Sequence, residues 1–377
     1  MARALQLAER GLYTTDPNPR VGCVLVRDGA VVGEGWHERA GGPHAEINAL
    51  RQAGAQAAGA TAYVTLEPCS HHGRTPPCSA ALVEAGVVRV VAAMQDPNPR
   101  VAGSGLQALQ QAGIEATSGV LAAAAEALNP GFVKRMRTGL PWVRCKLAMS
   151  LDGRTAMASG ESQWITGAAA RQDAHRLRAR ASAILSGIDT VLADDPALTV
   201  RLEEPETTPV EPPLRVILDS RLRIPDDAQL LGLPGATLLL TGVTRPEQHT
   251  RLARPRVSLV TLPLQEGRLD LVAVLRHLGG LELNEVHVEA GATLCGALLQ
   301  AGLVDELVIY MAPHLMGDAA RGLFTLPGLE RMAQRIDLKV TDIRAVGEDW
   351  RITATVSDTG AVKSEQTVSS KKVRSEK

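Results

Sequence analysis

Aromatic side chains are nearly missing from this sequence. They make up 2% of its 377 residues, which leaves few platforms on which nucleic-acid bases could stack. An excess of either charge is missing too. Forty basic residues against 41 acidic ones give a net charge of −1, so no broad cationic field awaits a phosphate backbone. No run of 18 apolar residues occurs, and no transmembrane span is expected. Cysteine is sparse and odd in number, at five, with no secretory signal ahead of it. That argues for reduced thiols in a cytoplasmic protein rather than a disulfide framework. Nucleic acid and membrane are therefore not expected as partners.

What is present is an α/β pattern long enough for two cores. Apolar residues reach 45%, and 377 residues exceed what one core usually organises. A helix over 1–11 leads to strands near 21–27 and 31–36, joined by an Asp28-Gly29 turn. A helix starts near His44, a strand ends at Leu66, and a second helix starts near Cys78. After a further strand comes strand–helix alternation that ends in a helical stretch over 121–137. The TGLPW segment at 138–142 reads as a linker. The expected division is a first domain at 1–140, a second at 141–356, and a tail at 357–377 without apolar periodicity. Within the second domain the Pro-rich stretch 203–213 reads as a surface loop. One hexapeptide, DPNPRV, occurs twice, at 16–21 and 96–101. Either these are two unrelated rigid turns, or they are two loops on one rim of a sheet.

The chemistry is concentrated in two stretches of the first domain. In GGPHAEINAL, His44 and Glu46 open a helix; in LEPCSHHGRTPPC, Cys69 and Cys78 flank eight residues. One His and two Cys make a three-ligand zinc set. Cys69 ends a strand and Cys78 opens a helix, whose N-terminus favours the thiolate. Three protein ligands leave a fourth position for water, the catalytic arrangement, and zinc lowers the pKa of such a water to about 7. Glu46 is then free to carry a proton to a leaving amine. A purely structural zinc would need His71 or His72 as fourth ligand and would leave Glu46 idle. His71, His72 and Arg74 could otherwise recognise substrate or simply solvate their loop. His37 reads as an ordinary polar loop residue. The pattern H-x-E followed by P-C and a second Cys is that of zinc deaminases acting on amino-substituted heterocycles.

With its eight-residue gap, PCSHHGRTPPC, together with TTDPNPRVGCV, resembles one branch of the cytidine deaminase superfamily. That branch is the deaminase domain of the bifunctional riboflavin-biosynthesis deaminase/reductases. Downstream, KLAMSLDG, ESQWIT, TVLADDPALTVR and VEAGATLCGALL resemble the reductase domain of the same family. Read without the resemblance, the last of these is a strand, a Gly-containing turn and a helix start fit to cradle phosphate, but not the GxGxxG fingerprint.

The resemblance implies a cytidine-deaminase-like three-layer domain followed by a dihydrofolate-reductase-like α/β domain. It implies one zinc per chain, held by His44, Cys69 and Cys78, with Glu46 as proton shuttle and Asn18 on the pyrimidine. It implies NADPH against Ala148, Trp164, Thr190, Asp194, Ser220 and the turn Gly291, Ala292, Thr293, Leu294, Cys295, Gly296 and Ala297. Substrate would meet Ser162, Arg178, Leu198, Arg201 and Glu289, with Lys146 near the ribose. Arg178 and Arg201 suit phosphate because a guanidinium binds it bidentately; the alternatives are a solvated helix face and a surface loop. Asp194 and Asp195 could instead cap a turn, and Trp164 could be core. The expected activity is deamination of 2,5-diamino-6-(5-phosphoribosylamino)pyrimidin-4-one, then NADPH reduction of the product's ribosyl group to ribityl. The expected partners are that phosphoribosylaminopyrimidine and further copies of the chain.

Overall fold

The computed structural model of the chain describes residues 1–70, 77–99, 101–203 and 210–356. His71, His72 and Arg74, most of the 203–213 loop and the 357–377 tail lie outside the described residues. Among the described residues no helix is long and apolar enough to cross a membrane.

The first half of the chain forms one sheet in the order β2-β1-β3-β4-β5. Its strands are β1 (Gly22–Arg27), β2 (Ala30–Trp36), β3 (Thr61–Val64), β4 (Arg89–Ala92) and β5 (Glu115–Ser118). β1 runs antiparallel to β2 and β3, while β3, β4 and β5 are parallel. The β1–β2 turn falls at Asp28-Gly29, both at positive φ, as the sequence suggests. Small residues decide how closely the helix Ala45–Ala53 lies on this sheet. A Cβ on Gly35 of β2 would come within 2.4 Å of the Ala45 carbonyl, so only glycine permits the approach. Ala45 and Ala49 are fully buried against it.

The second half contributes the other strands. These are β6 (Trp142–Ser150), β7 (Arg154–Ala156), β8 (Ala183–Gly187), β9 (Leu214–Leu218), β10 (Thr237–Thr241), β11 (Val257–Thr261), β12 (Leu264–Gln265), β13 (Arg268–Leu269), β14 (Glu285–Val288), β15 (Glu306–Ala312), β16 (Arg321–Gly322), β17 (Leu338–Val346) and β18 (Asp349–Val356). Nine of them make one sheet in the order β11-β10-β9-β8-β14-β6-β15-β18-β17. All neighbours from β11 to β15 are parallel; β18 and β17 close the edge antiparallel. Central strands such as β14 are buried along their whole length, as strands covered on both faces must be.

Two expectations change. The helical stretch 121–137 is two helices, Ala122–Leu128 and Pro130–Thr138. Pro130 cannot donate within a helix and starts the second one. Asn129, at the break, is buried and exchanges two hydrogen bonds with the Arg20 backbone, at 2.8 and 2.9 Å. The TGLPW segment is a tight corner rather than a slack linker. Gly139, at φ 75°, ends the helix, and Trp142 already belongs to β6.

The two halves meet on buried polar groups. Glu285, 2% exposed, accepts from Arg20 at 2.9 Å, from Arg144 at 3.1 Å and from Arg180 at 3.3 Å. Arg144 also pairs with Glu306. Burial alone would raise the Glu285 pKa, but Arg180, Arg20 and Arg144 outweigh it and hold the carboxylate far below its usual range. Lys134 adds a 2.6 Å bridge to Asp305. We expect Glu285→Gln to cost about 3–5 kcal/mol of stability, because it strands buried guanidinium charge. Denaturant unfolding checks this. Since the folded-state pKa is depressed, the group's contribution is complete above about pH 4.3 and is lost progressively as pH falls toward the depressed value. The variant should lack that acid-side slope.

Candidate active sites

The first site is built where the chain enters β1 and leaves β3 and β4. Cys23 pairs with Val64, and Val64 with Ala92, so the segments before β1 and after β4 share one rim. Both DPNPRV copies therefore line the same rim, although Arg100 of the second is outside the described residues. His44 is the N-cap of its helix and Cys78 begins the helix Cys78–Glu84. Cys69 is placed by its neighbour Glu67. The buried Glu67 carboxylate accepts from four backbone N–H groups, of Asp96, Gly103, Gly105 and Leu106, at 2.7–3.2 Å. It thereby ties the Pro68-Cys69 turn to the second repeat and to the start of the helix Ser104–Gln111.

The ligand atoms of His44, Cys69 and Cys78 all lie within 4.8 Å of one another. His44 Nδ1 is 3.7 Å from Cys69 Sγ and 3.3 Å from Cys78 Sγ. A tetrahedral zinc with ordinary Zn–S and Zn–N bonds puts such atoms about 3.6 Å apart. The donor set and its spacing therefore fit zinc, and among the described residues these three ligands form the group. The Cys78 thiol donating to Cys69 brings the Cys69 pKa down to about 4, against the opposing effect of burial. Sharing that proton pushes Cys78 the other way. Glu46 is 3% exposed, and burial lifts its pKa.

His37 is not the solvated loop residue that its sequence context suggests. It is 3% exposed, and its ring stands edge-on to His44 with centroids 5.4 Å apart. Its Nδ1 faces the Pro43 carbonyl at 3.0 Å and its Nε2 faces Asn18 Nδ2 at 3.1 Å. Burial lowers its pKa, so the ring is neutral, donates from Nδ1 and accepts the Asn18 amide. Asn18 is thus fixed beside the metal set. Neither His37 nor Glu67 carries a local signal; tertiary contact alone reveals them.

The second site is a cleft of about 1750 Å³ beyond the carboxyl ends of β6, β8, β9 and β14, where parallel α/β sheets bind ligands. Lys146, Ala148, Ser162, Trp164, Arg178, Thr190, Asp194, Leu198, Arg201, Ser220 and Glu289 all line it. So do Gly291, Ala292, Thr293, Leu294 and Ala297, at the start of the helix Ala292–Gln300. Two residues of that turn do not. Cys295 is fully buried with its thiol on the Ala290 carbonyl, and Gly296 packs against the Thr325 backbone. They face the core, as alternate turns of a helix require. The Gly291 N-cap leaves the first N–H groups without a side-chain partner, and a Cβ there would meet open space. Such a helix start can cradle phosphate, and a cleft of this volume has room for a nucleotide.

Trp164 is 70% exposed rather than core, with the Arg171 guanidinium 4.8 Å above its ring. The Asp195 carboxylate accepts from the distant Gln229 N–H at 3.0 Å, a tertiary contact rather than a cap on its own turn. Arg178 is already engaged. It binds both oxygens of Glu289 at 2.5 and 2.7 Å and the Thr199 carbonyl at 2.8 Å. Burial would raise the Glu289 pKa, but Arg178 holds it well below the usual carboxylate range. Burial lowers the pKa of Lys146, whose ammonium lies 5.7 Å from the centre of the Tyr310 ring. His175, unmarked in the sequence, is held neutral by burial with a pKa of about 4 and accepts the Arg201 N–H at 3.2 Å. Leu198 stands at φ 46°, a strained conformation for a side chain branched beyond Cβ, and it does so at the cleft wall.

Comparison with known proteins bears on both sites. Residues 1–94 match the cytidine and deoxycytidylate deaminase zinc-binding region. Residues 141–352 match the RibD C-terminal domain. The riboflavin biosynthesis protein RibD of Escherichia coli is 57% identical over 93% of this chain and 96% of its own length. That of Haemophilus influenzae is 52% identical over 94% and 96%. The solved structure of Acinetobacter baumannii RibD is 49% identical and superposes with a TM-score of 0.87 over 94% of this chain and 97% of that one. A Thermotoga maritima structure, described as a diaminohydroxyphosphoribosylaminopyrimidine deaminase/5-amino-6-(5-phosphoribosylamino)uracil reductase, is 32% identical with a TM-score of 0.83 over 95% and 97%. The zinc-fitting rim and the nucleotide-sized cleft are thus two halves of one known arrangement, and the chain belongs to the RibD family of riboflavin biosynthesis, a deaminase and a reductase in one polypeptide.

Proposed function

We propose that residues 1–140 deaminate 2,5-diamino-6-(5-phosphoribosylamino)pyrimidin-4-one and that residues 141–356 reduce the resulting 5-amino-6-(5-phosphoribosylamino)uracil. The names of the relatives support these substrates. The observation that carries the first step is the His44–Cys69–Cys78 cluster with Glu46 buried at the same helix start. Zinc, when bound there, supplies the Lewis acidity that makes water nucleophilic near neutral pH. Glu46 takes the proton from that water and delivers it to the departing amine, so that ammonia leaves as the ring carbonyl forms. Its burial suits the task, because a raised pKa lets one carboxyl both accept and donate. Asn18, held by His37, orients the pyrimidine edge.

The reductase assignment implies a nicotinamide cofactor; we take it to be NADPH. The cofactor supplies hydride, and the chain positions it. Thr190, Asp194, Ser220, the Gly291–Leu294 helix start, Trp164 and Ala148 all line the cleft, and we assign them to the cofactor. Lys146 and the Arg178–Glu289 pair line the same cleft, and we assign them to the ribosyl group of the substrate. Arg201 is exposed, and among the described residues its side chain bonds only the Thr199 hydroxyl, which leaves it available for the substrate phosphate. Five free cysteines support a cytoplasmic setting. The exposed apolar row Val340, Ile343 and Trp350 on the β17–β18 edge supports a homo-oligomer.

Glu46→Gln should lower ammonia release about 10²- to 10⁴-fold while zinc content, read by atomic absorption, stays at one per chain. NADPH oxidation with the deaminated substrate should be unchanged. A variant that keeps both zinc and full rate would remove Glu46 from the mechanism. Chelation of zinc should abolish ammonia release and spare NADPH oxidation. In the reductase, Arg201→Ala should raise KM for the phosphorylated substrate roughly tenfold and leave KM for a dephosphorylated analogue unchanged. Initial rates with NADPH should exceed those with NADH at equal concentration; equal rates would contradict the coenzyme assignment.

A further inference from the structure

The turn that presents Asn18 is not held by its own domain alone. Its N-terminal side is anchored locally: Thr15 N–H and hydroxyl both donate to the Gly11 carbonyl, and the Ala40 N–H donates to the Thr14 carbonyl. Its C-terminal side is tied through Arg20 to Asn129, Leu128 and Glu285. Between these anchors, Asp16 and Pro17 are gripped from the other half of the chain. Asn284, immediately before β14, donates from Nδ2 to Asp16 Oδ1 and to the Pro17 carbonyl, both at 2.8 Å. Its Oδ1 accepts from Arg135 Nε at 2.7 Å. Arg135 can only donate, which fixes which end of the amide is oxygen.

The Asn284 side chain is therefore fully used, and every partner is on the deaminase side. It is 5% exposed, so each of these bonds is shielded from water. Meanwhile its backbone belongs to the reductase: the N–H donates to Ser182 Oγ at 2.9 Å, and the carbonyl accepts from Trp142 N–H at 2.8 Å. A residue locked into one domain by its backbone and into the other by its side chain fixes the position of whatever it grips. What it grips is the residue pair directly before Asn18, and Asn18 in turn meets His37 beside the metal set.

We infer that Asn284 of the reductase domain is a positioning residue for the deaminase reaction, holding the Asp16-Pro17 turn so that Asn18 meets the pyrimidine in register. This rests on the reading of Asn18 as a substrate contact. Loss of the grip lets the turn wander and weakens binding. It leaves zinc, Glu46 and the chemical step alone, so the effect is on KM rather than kcat.

The test uses the full-length zinc-loaded protein and measures kcat and KM for ammonia release. Asn284→Ala should raise KM roughly five- to tenfold, with kcat within about twofold and zinc content unchanged. Asn18→Ala should raise KM at least as much, and the double variant should be no worse than Asn18→Ala, because the two act through one contact. Asp16→Ala removes one of the same bonds without touching the Asn284–Arg135 bond, and should raise KM in the same direction if Asn284→Ala folds poorly. Lys134→Met weakens the junction elsewhere and should leave KM as it is. An unchanged KM in both Asn284→Ala and Asp16→Ala, with Asn18→Ala impaired, overturns the inference and spares the reading of Asn18. Additive losses in the double variant overturn it as well. An unimpaired Asn18→Ala instead removes Asn18 from substrate binding, a different signature.

Discussion

Glu285 is the carboxylate on which the two-domain arrangement turns. Three guanidiniums converge on it from three places: Arg20 from the turn before β1, Arg144 from β6, and Arg180 from the end of the helix Ala168–Ala179. Each of these charges would be intolerable alone in a buried setting. Together with Glu306 they compensate one another, and the directional fork of each guanidinium accepts few alternative geometries. An apolar junction of equal area could be as stable. It would not specify the relative placement of the two sheets so narrowly.

That placement matters because β14 carries a task at each end. Asn284 and Glu285 stand at its start and Glu289 follows its last residue. At about 3.3 Å per residue, four residues separate Glu285 from Glu289 by about 13 Å. The start of the strand grips the deaminase turn; its far end delivers the carboxylate that Arg178 keeps ionised in the reductase cleft. The cleft is thus at the opposite end of β14 from the junction. One rigid, fully buried strand sets the geometry of both sites, although the sites share no wall.

The parts legible in the sequence were those whose chemistry demands particular residue types. A zinc set needs soft or borderline donors, so His44, Cys69 and Cys78 announce themselves, and an H-x-E pair gives Glu46 a role. Asp28-Gly29 marks the β1–β2 turn, whereas the alanine-rich periodicity around Asn129-Pro130 masks the helix break there. What stayed hidden were single polar residues whose meaning comes from distant partners. Glu67 gains its role from four N–H groups some 30 to 40 positions away, His37 from Asn18 and His44, and His175 from Arg201. Asn284 was invisible for the same reason: a lone Asn ahead of an apolar strand reads as a turn residue. For Trp164 it is the alternative as a core residue that fails, since an apolar ring can be exposed when a guanidinium lies over it.

The reductase cleft also refines what its two arginines do. The sequence treats Arg178 and Arg201 alike, as a pair of phosphate clamps. In the structure their situations differ. Arg178 spends both edges of its fork on Glu289 and Thr199, and opening that pair would leave a half-buried carboxylate uncompensated. A phosphate approaching Arg178 would also approach the Glu289 charge. Among the described residues Arg201 has neither constraint, because its side chain makes a single bond to a neutral hydroxyl and its backbone is steadied by a neutral His175. We therefore assign phosphate affinity to Arg201. Arg178 instead holds Glu289 ionised, beside a lysine whose own pKa burial has lowered, and we assign it that positioning role.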